Sequence, residues 1–210
     1  MDTQLNFINR SLAGHTAEIV LFQKNVALDM SALEVAWKVV RYCGRDCSHP
    51  LVFAQGFEVS VQDLWGNFTP RLPAQPGQAF ELVQGPVAGR QLRPSRREAG
   101  TAQASGVIEV LNAQRQGAVD ICLYRGGMLL GRKTSVAPGQ KALFRYPPAL
   151  WVAVASEIVE GQAFQSAVLS EQAQELSLMG VARADLVMTG GGPGTSARPY
   201  EFRLENVVAW

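Results

Sequence analysis

The feature that most constrains this chain is its punctuation. Short apolar runs, about five to nine residues each, alternate with Gly, Pro and Asn along all 210 residues. The runs are Gln4–Asn9, Thr16–Lys24, Glu34–Tyr42, Phe57–Gln62 and Ala79–Val83, then Val107–Asn112, Val119–Tyr124, Met128–Ser135, Lys141–Tyr146 and Leu150–Ser156. Gln174–Met179, Ala184–Thr189 and Tyr200–Val208 complete the series. Val, Ile, Leu and Phe dominate them, and such side chains fit a pleated, half-buried surface. Regular short strands bounded by turn residues predict an all-β chain. The expected form is an antiparallel β-sandwich, jelly-roll or immunoglobulin-like, rather than alternating β and α units.

The runs differ in pattern. Phe57-Glu58-Val59-Ser60-Val61-Gln62 is apolar at every second position, as a strand with one face on a core requires. Ile19-Val20-Leu21-Phe22 is apolar throughout, which predicts a central strand covered on both faces. Met30–Val40 also has helical spacing, but Val35, Trp37, Val39 and Val40 favour a strand. Phe164–Gln174 is rich in Gln, Ala and Glu and predicts a short helix. At most one or two short helices are expected.

Two patterns recur. Glu18-Ile19-Val20-Leu21-Phe22 resembles Asp120-Ile121-Cys122-Leu123-Tyr124, and Pro-Gly-Gln stands at 76–78 and again at 138–140, each time before an apolar run. Pro-Gly favours a type II turn, because Pro fixes φ and Gly accepts a positive φ. The offsets differ between the two pairs, so they do not define a colinear duplication.

Gln84–Gly106 holds few large apolar residues and many Gly, Ala, Ser and Arg. It reads as a long flexible loop near 84–106 in a single sandwich domain spanning 1–210. The alternative is two small β-domains, 1–85 and 105–210. With 47% apolar residues the chain has material for a core without a disulfide or metal staple. A domain of this size buries roughly 70% of the surface of its unfolded chain.

Charge narrows the function classes. Lys and Arg total 19 against 18 Asp and Glu, a net charge of +1. Such a balance creates no general field for nucleic acid, and no nucleic-acid partner is expected. No run approaches the roughly 20 apolar residues that span a bilayer. The opening residues lack a basic segment followed by an uninterrupted apolar stretch, so the expected location is cytoplasmic, or outside by a route without such a signal. Three cysteines fit a reducing compartment.

The candidate sites are few. Asp63-Leu64-Trp65-Gly66-Asn67-Phe68 is an aromatic, loop-like cluster. Trp65 and Phe68 could stack on a ligand while Asp63 and Asn67 bond its polar groups, the mix that binding sites use. The competing structural reading has Trp65 and Phe68 plug the end of the sandwich, with Asp63 and Asn67 bonding turn backbone. Cys43, Cys47 and His49 offer soft ligands, but about four are needed for a structural zinc and only His15 and Cys122 remain. The two thiols also read as a reversible disulfide. Nucleophilic catalysis has only His15 and His49 as imidazoles and no strand-turn-helix serine motif. Thr189–Ser196 is Gly-rich but has no Lys, which makes it a hairpin connection rather than a phosphate loop. Arg90, Arg93, Arg96 and Arg97 form a basic cluster in a solvated loop. Trp37 and Trp151 could serve a subunit interface, and the apolar Val207–Trp210 either packs on its own core or inserts into a neighbour.

These features lead first to a non-catalytic β-sandwich with no cofactor, binding a ligand or protein partner and able to form a homo-oligomer. A lectin-like carbohydrate binder using Asp63, Trp65 and Asn67 is the second reading. A metal-dependent enzyme or redox protein centred on Cys43, Cys47 and His49 is the third. A sandwich that inserts aromatic loop tips into membrane is the fourth.

Overall fold

Strands form where apolar residues recur, and turns form where Gly, Pro and Asn interrupt them. The computed structural model describes residues 1–12, 17–27, 33–85, 89–95, 106–164 and 173–210. Among these, the strands in chain order are β1 (Thr3–Asn9), β2 (Glu18–Phe22), β3 (Leu33–Val35), β4 (Lys38–Val40), β5 (Ser48–Phe53), β6 (Phe57–Gln62), β7 (Leu72–Ala74), β8 (Ala79–Gln84) and β9 (Arg90–Pro94). They continue as β10 (Ile108–Asn112), β11 (Val119–Arg125), β12 (Met128–Val136), β13 (Lys141–Phe144), β14 (Ala149–Ala155), β15 (Ala163–Phe164), β16 (Gln174–Ser177), β17 (Val181–Gly191) and β18 (Arg198–Ala209). The one helical turn among the described residues is a 3-10 turn at Gly194–Ser196. The chain is all-β, as its punctuation predicts. The short helix expected over Phe164–Gln174 falls largely on residues 165–172, outside the described residues.

The chain divides into two compact units. Unit 1 comprises Met1–Lys24, Glu34–Gln55 and Pro148–Trp210, and unit 2 comprises Asn25–Leu33 and Gly56–Pro147. Unit 1 holds two four-stranded sheets, β18-β17-β1-β5 and β16-β14-β2-β4. In β1 the odd-numbered residues Thr3, Leu5, Phe7 and Asn9 are buried and the even ones are not, the alternation of a strand with one face on a core. The Gln174 side chain ties the edge strands β16 and β18 together: its Nε2 donates to the Tyr200 carbonyl (3.2 Å) and its Oε1 accepts the Phe202 N–H (2.7 Å). Most neighbours are antiparallel. β1 and β17 are parallel, so the first strand pairs with one of the last.

β2 is a central strand, and Ile19, Val20, Leu21 and Phe22 are all buried. Val20 and Phe22 join Ala36, Val39 and Ala153 in a core that Trp151, Ile158 and Phe164 also pack against. Phe22 meets Phe164 edge-on at 5.2 Å, a favoured aromatic geometry. The run Glu34–Tyr42 divides into β3 and β4, and Ala36 and Trp37 between them are buried. Trp37 lies edge-on to Phe53 at 5.8 Å, so its ring belongs to the core of unit 1 instead of a subunit interface.

In unit 2 one sheet runs β13-β10-β8-β9, and β12-β11-β6-β7 are the four strands of a six-stranded sheet that fall wholly in this unit. β11, which repeats the sequence pattern of β2, is likewise central and buried from Ile121 to Arg125. The two Pro-Gly-Gln turns share one geometry. Gly77 and Gly139 have φ of 90° and 81°. Gln78 N donates to Gln75 O (3.1 Å) and Gln140 N to Ala137 O (3.0 Å). Each Gln side chain returns to accept an N–H three residues back, at 2.9 and 3.2 Å. β8 follows one turn and pairs parallel with β10; β13 follows the other and pairs antiparallel with β10. One turn design thus delivers a strand to each side of β10. β9 lies within the stretch 84–106 read as loop, paired with β8; residues 86–88 and 96–105 lie outside the described residues.

Phe22→Ala removes a fully buried ring that touches Trp151 and Phe164. The expected loss is about 3–5 kcal/mol of folding stability. It is measured as a lower denaturant midpoint with an unchanged slope.

Candidate functional site

The loop between β6 and Phe68 displays three large apolar side chains, Leu64, Trp65 and Phe68, on a hydrogen-bonded frame. Asp63 leaves the end of β6 and organises the residues after it. Its Oδ1 accepts the backbone N–H of Trp65 and of Asn67, both at 2.9 Å. Asn67 Nδ2 donates to Asp63 Oδ2 at 3.2 Å. The backbone closes as well, with Asp63 N donating to Asn67 O (2.9 Å) and Gly66 N to Asp63 O (3.1 Å). Gly66 takes φ of 85°, which a side chain would strain. From strand β9, Arg90 Nη1 sits 3.3 Å from Asp63 Oδ2. The donated hydrogen bonds, above all from Asn67, and the Arg90 charge hold the Asp63 carboxyl below the ordinary aspartate range.

The polar half of the structural reading therefore holds: Asp63 and Asn67 bond their own loop. The apolar half does not. Trp65 is 86% exposed, Leu64 75% and Phe68 51%, so the rings do not plug the end of a sheet. The next residues anchor the loop's far side, where Thr69 N donates to Val61 O and Thr69 Oγ1 accepts Val61 N–H. The result is a braced loop with an apolar crest.

The cysteine loop lies in unit 1. Asn9, at the end of β1, bonds it three times. Asn9 Nδ2 donates to Cys43 O (2.7 Å), Asn9 N to Cys47 O (3.1 Å), and Asp46 N to Asn9 O (2.7 Å). Asn9 Oδ1 accepts from Ser11 N (2.9 Å), which fixes the carboxamide. Cys43 is half-buried, Cys47 exposed, and both are free thiols. Burial first, then the nearby Cys47, pushes the Cys43 thiol up. His49 stands on β5 opposite Phe7. Among the described residues no three His, Cys, Asp or Glu side chains are grouped as a metal ion would need. His15 lies outside the described residues.

The remaining candidates have local partners. Arg93 is paired with Glu81 at 2.8 Å, and Arg96 and Arg97 lie outside the described residues. The Gly-rich stretch Thr189–Ser196 resolves as a hairpin connection. β17 and β18 pair antiparallel up to Gly191 and Arg198, and a Cβ at Gly190 would strike the Pro199 carbonyl. Trp210 is 58% exposed and helps line a groove of about 490 Å³ with Met1, Pro148, Leu178, Met179 and Gly180. Beside it, edge strand β18 is bent by a bulge at Asn206 (φ 50°) and carries Arg203 and Glu205, devices that discourage edge-to-edge pairing. No helix among the described residues is long and apolar enough to cross a membrane.

One group escapes sequence reasoning. Glu34 on β3 is half-buried, and desolvation raises its carboxyl to about 7 although Lys24 pulls it down. Lys24 itself lies over the Trp151 ring at 3.5 Å. Only the burial of Glu34 distinguishes it from any other glutamate, and burial is not written in the residue.

Compared with known proteins, the chain matches no family model, and no curated protein or solved structure resembles it significantly.

Two expectations follow. Asp63→Ala removes the acceptor for two amides, so hydrogen exchange at Trp65 and Asn67 accelerates while the amides of β6 and β11 keep their protection. For Glu34, the folded carboxyl holds its proton to higher pH than the unfolded one. Its contribution to stability is therefore full below about pH 4.5 and falls as pH rises through about 7. Glu34→Gln flattens the stability profile across that window, read as unfolding midpoints on both sides of it.

Proposed function

We propose that this chain is a non-catalytic binding protein that holds a protein partner through the crest of the 63–68 loop. One observation carries the reading: the loop's polar groups bond one another and the Asp63 carboxylate is ion-paired with Arg90, while Leu64 and Trp65 face solvent. Exposing large apolar side chains on a loop this well braced does nothing for folding. It does suit binding, because a crest ordered in advance loses little conformational entropy when it docks. Trp is also the residue most enriched among interface residues that dominate affinity.

The same geometry weighs against the carbohydrate reading. A sugar needs hydrogen-bond partners beside the stacking ring, and both Asp63 oxygens already have donors within the protein. The flat, exposed Trp65 ring is what keeps that reading in play.

The test is capture from a cell extract by immobilised protein, with Trp65→Ala and an exposed control, Val52→Ala, side by side. A residue of this kind contributes about 2 kcal/mol or more at an interface, roughly a thirtyfold loss of affinity. Bound partner should fall by that order for Trp65→Ala and not for Val52→Ala. Equal capture by all three proteins would overturn the proposal. A thermal shift with sugars alone, abolished by Trp65→Ala, would transfer the same crest to carbohydrate.

A further inference from the structure

The sharpest concentration of chemistry outside that loop is the turn Cys43-Gly44-Arg45-Asp46-Cys47 in unit 1. We propose that Cys43 and Cys47 close into a reversible disulfide by exchange with a low-molecular-weight disulfide, making this turn a redox-modification site. The argument is geometric. The carbonyls of both cysteines bond to the same residue, Cys43 to the side chain of Asn9 at 2.7 Å and Cys47 to its backbone N–H at 3.1 Å. The turn is closed again by Cys47 N donating to Gly44 O at 3.1 Å. A disulfide requires Cα atoms within roughly 7 Å, and the Gly44–Cys47 turn together with the two bonds to Asn9 folds the chain at Cys47 back toward Cys43. Asn9 is itself buried, so the clamp does not depend on an exposed side chain.

Strain and exposure point the same way. Tyr42 and Asp46 take left-handed φ of 55° and 62°, without being glycine. Such conformations persist only where surrounding bonds impose them, and they cluster at functional segments. The two thiols are unequal, Cys47 exposed and Cys43 half-buried. Cys122 is fully buried in unit 2 and its sulfur accepts from Arg132 Nε at 3.5 Å, so it stays apart from the exchange.

The chemistry balances as two exchanges. Cys47 loses its proton to water and its thiolate attacks one sulfur of the disulfide RSSR. A Cys47–SR bond forms, the S–S bond of RSSR breaks, and RS⁻ leaves. The Cys43 thiolate then attacks the Cys47 sulfur, forming Cys43–Cys47 and expelling a second RS⁻. Two protein thiols are oxidised, one RSSR is reduced to two thiols, and the two protons pass to solvent or to the departing thiolates. Burial first and the Cys47 charge second hold the Cys43 proton on, and capping Cys47 removes the second of these.

The experiment uses the reduced full chain with excess glutathione disulfide, followed by acid quenching, alkylation and peptide mass mapping. The expected product has lost two hydrogens, carries a Cys43–Cys47 bond in a single chain, and returns to the dithiol with dithiothreitol. Cys122 becomes alkylated only after denaturation. Cys43→Ser, which leaves Cys47 in place, should stop at one glutathione on Cys47. Wild-type protein that also stops at that mixed disulfide would overturn the proposal, as would a bond between two chains through Cys47. So would thiols that stay reduced when folded and oxidise only when unfolded.

Discussion

Everything in this structure depends on how the chain leaves a buried strand. A backbone group that loses its ladder partner inside a protein needs another one, and here short amide and carboxylate side chains supply it. Asn9 at the end of β1 accepts from Ser11 N and donates to Cys43 O. Asn112 at the end of β10 accepts from Gln114 N and donates to Gly117 O and Val136 O. Asn25 accepts from Ala27 N and Arg145 N and donates to Leu143 O. Asp63 after β6 accepts from Trp65 N. In each case the oxygen takes the N–H two residues ahead, the local bond that Asn and Asp form readily. The same device that ends strands also builds both functional candidates, the aromatic crest and the cysteine turn.

How much of this was legible follows from where each residue sits. The central strands announced themselves: Ile19–Phe22 and Ile121–Tyr124 are apolar on both faces because both faces are covered. The strands that sequence reasoning passed over are edge strands. β5 contains Pro50, β7 contains Pro73 and β9 ends at Pro94, and each lies at the margin of its group. Pro lacks the N–H a central ladder needs but is tolerated where one side of the strand is unpaired. A rule that treats Pro as a strand breaker therefore loses the margins of a sheet first.

The candidate site was legible in its polar half. Asp and Asn in a Gly-containing turn predict local hydrogen bonds, and Asp63 makes them. The exposure of Trp65 was not legible, since an aromatic residue in a loop is equally at home under it or above it. Nor was the clamp on the cysteines. It depends on Asn9, which the strand pairing of β1 with β5 carries to the turn from a distant part of the chain. Glu34 was hidden for a related reason, because its perturbation comes from neighbours that only the folded chain assembles.

The parallel pairing of β1 with β17 has a consequence for biosynthesis. Unit 1 is interrupted by nearly the whole of unit 2. A ribosome releases the chain from its N-terminus, so every residue of unit 2 is made before β17 and β18. β1 must wait, its backbone and its buried-side residues Leu5 and Phe7 without their parallel neighbour, until β17 emerges. Unpaired strand edges of this kind are what expose a partly folded chain to wrong pairing.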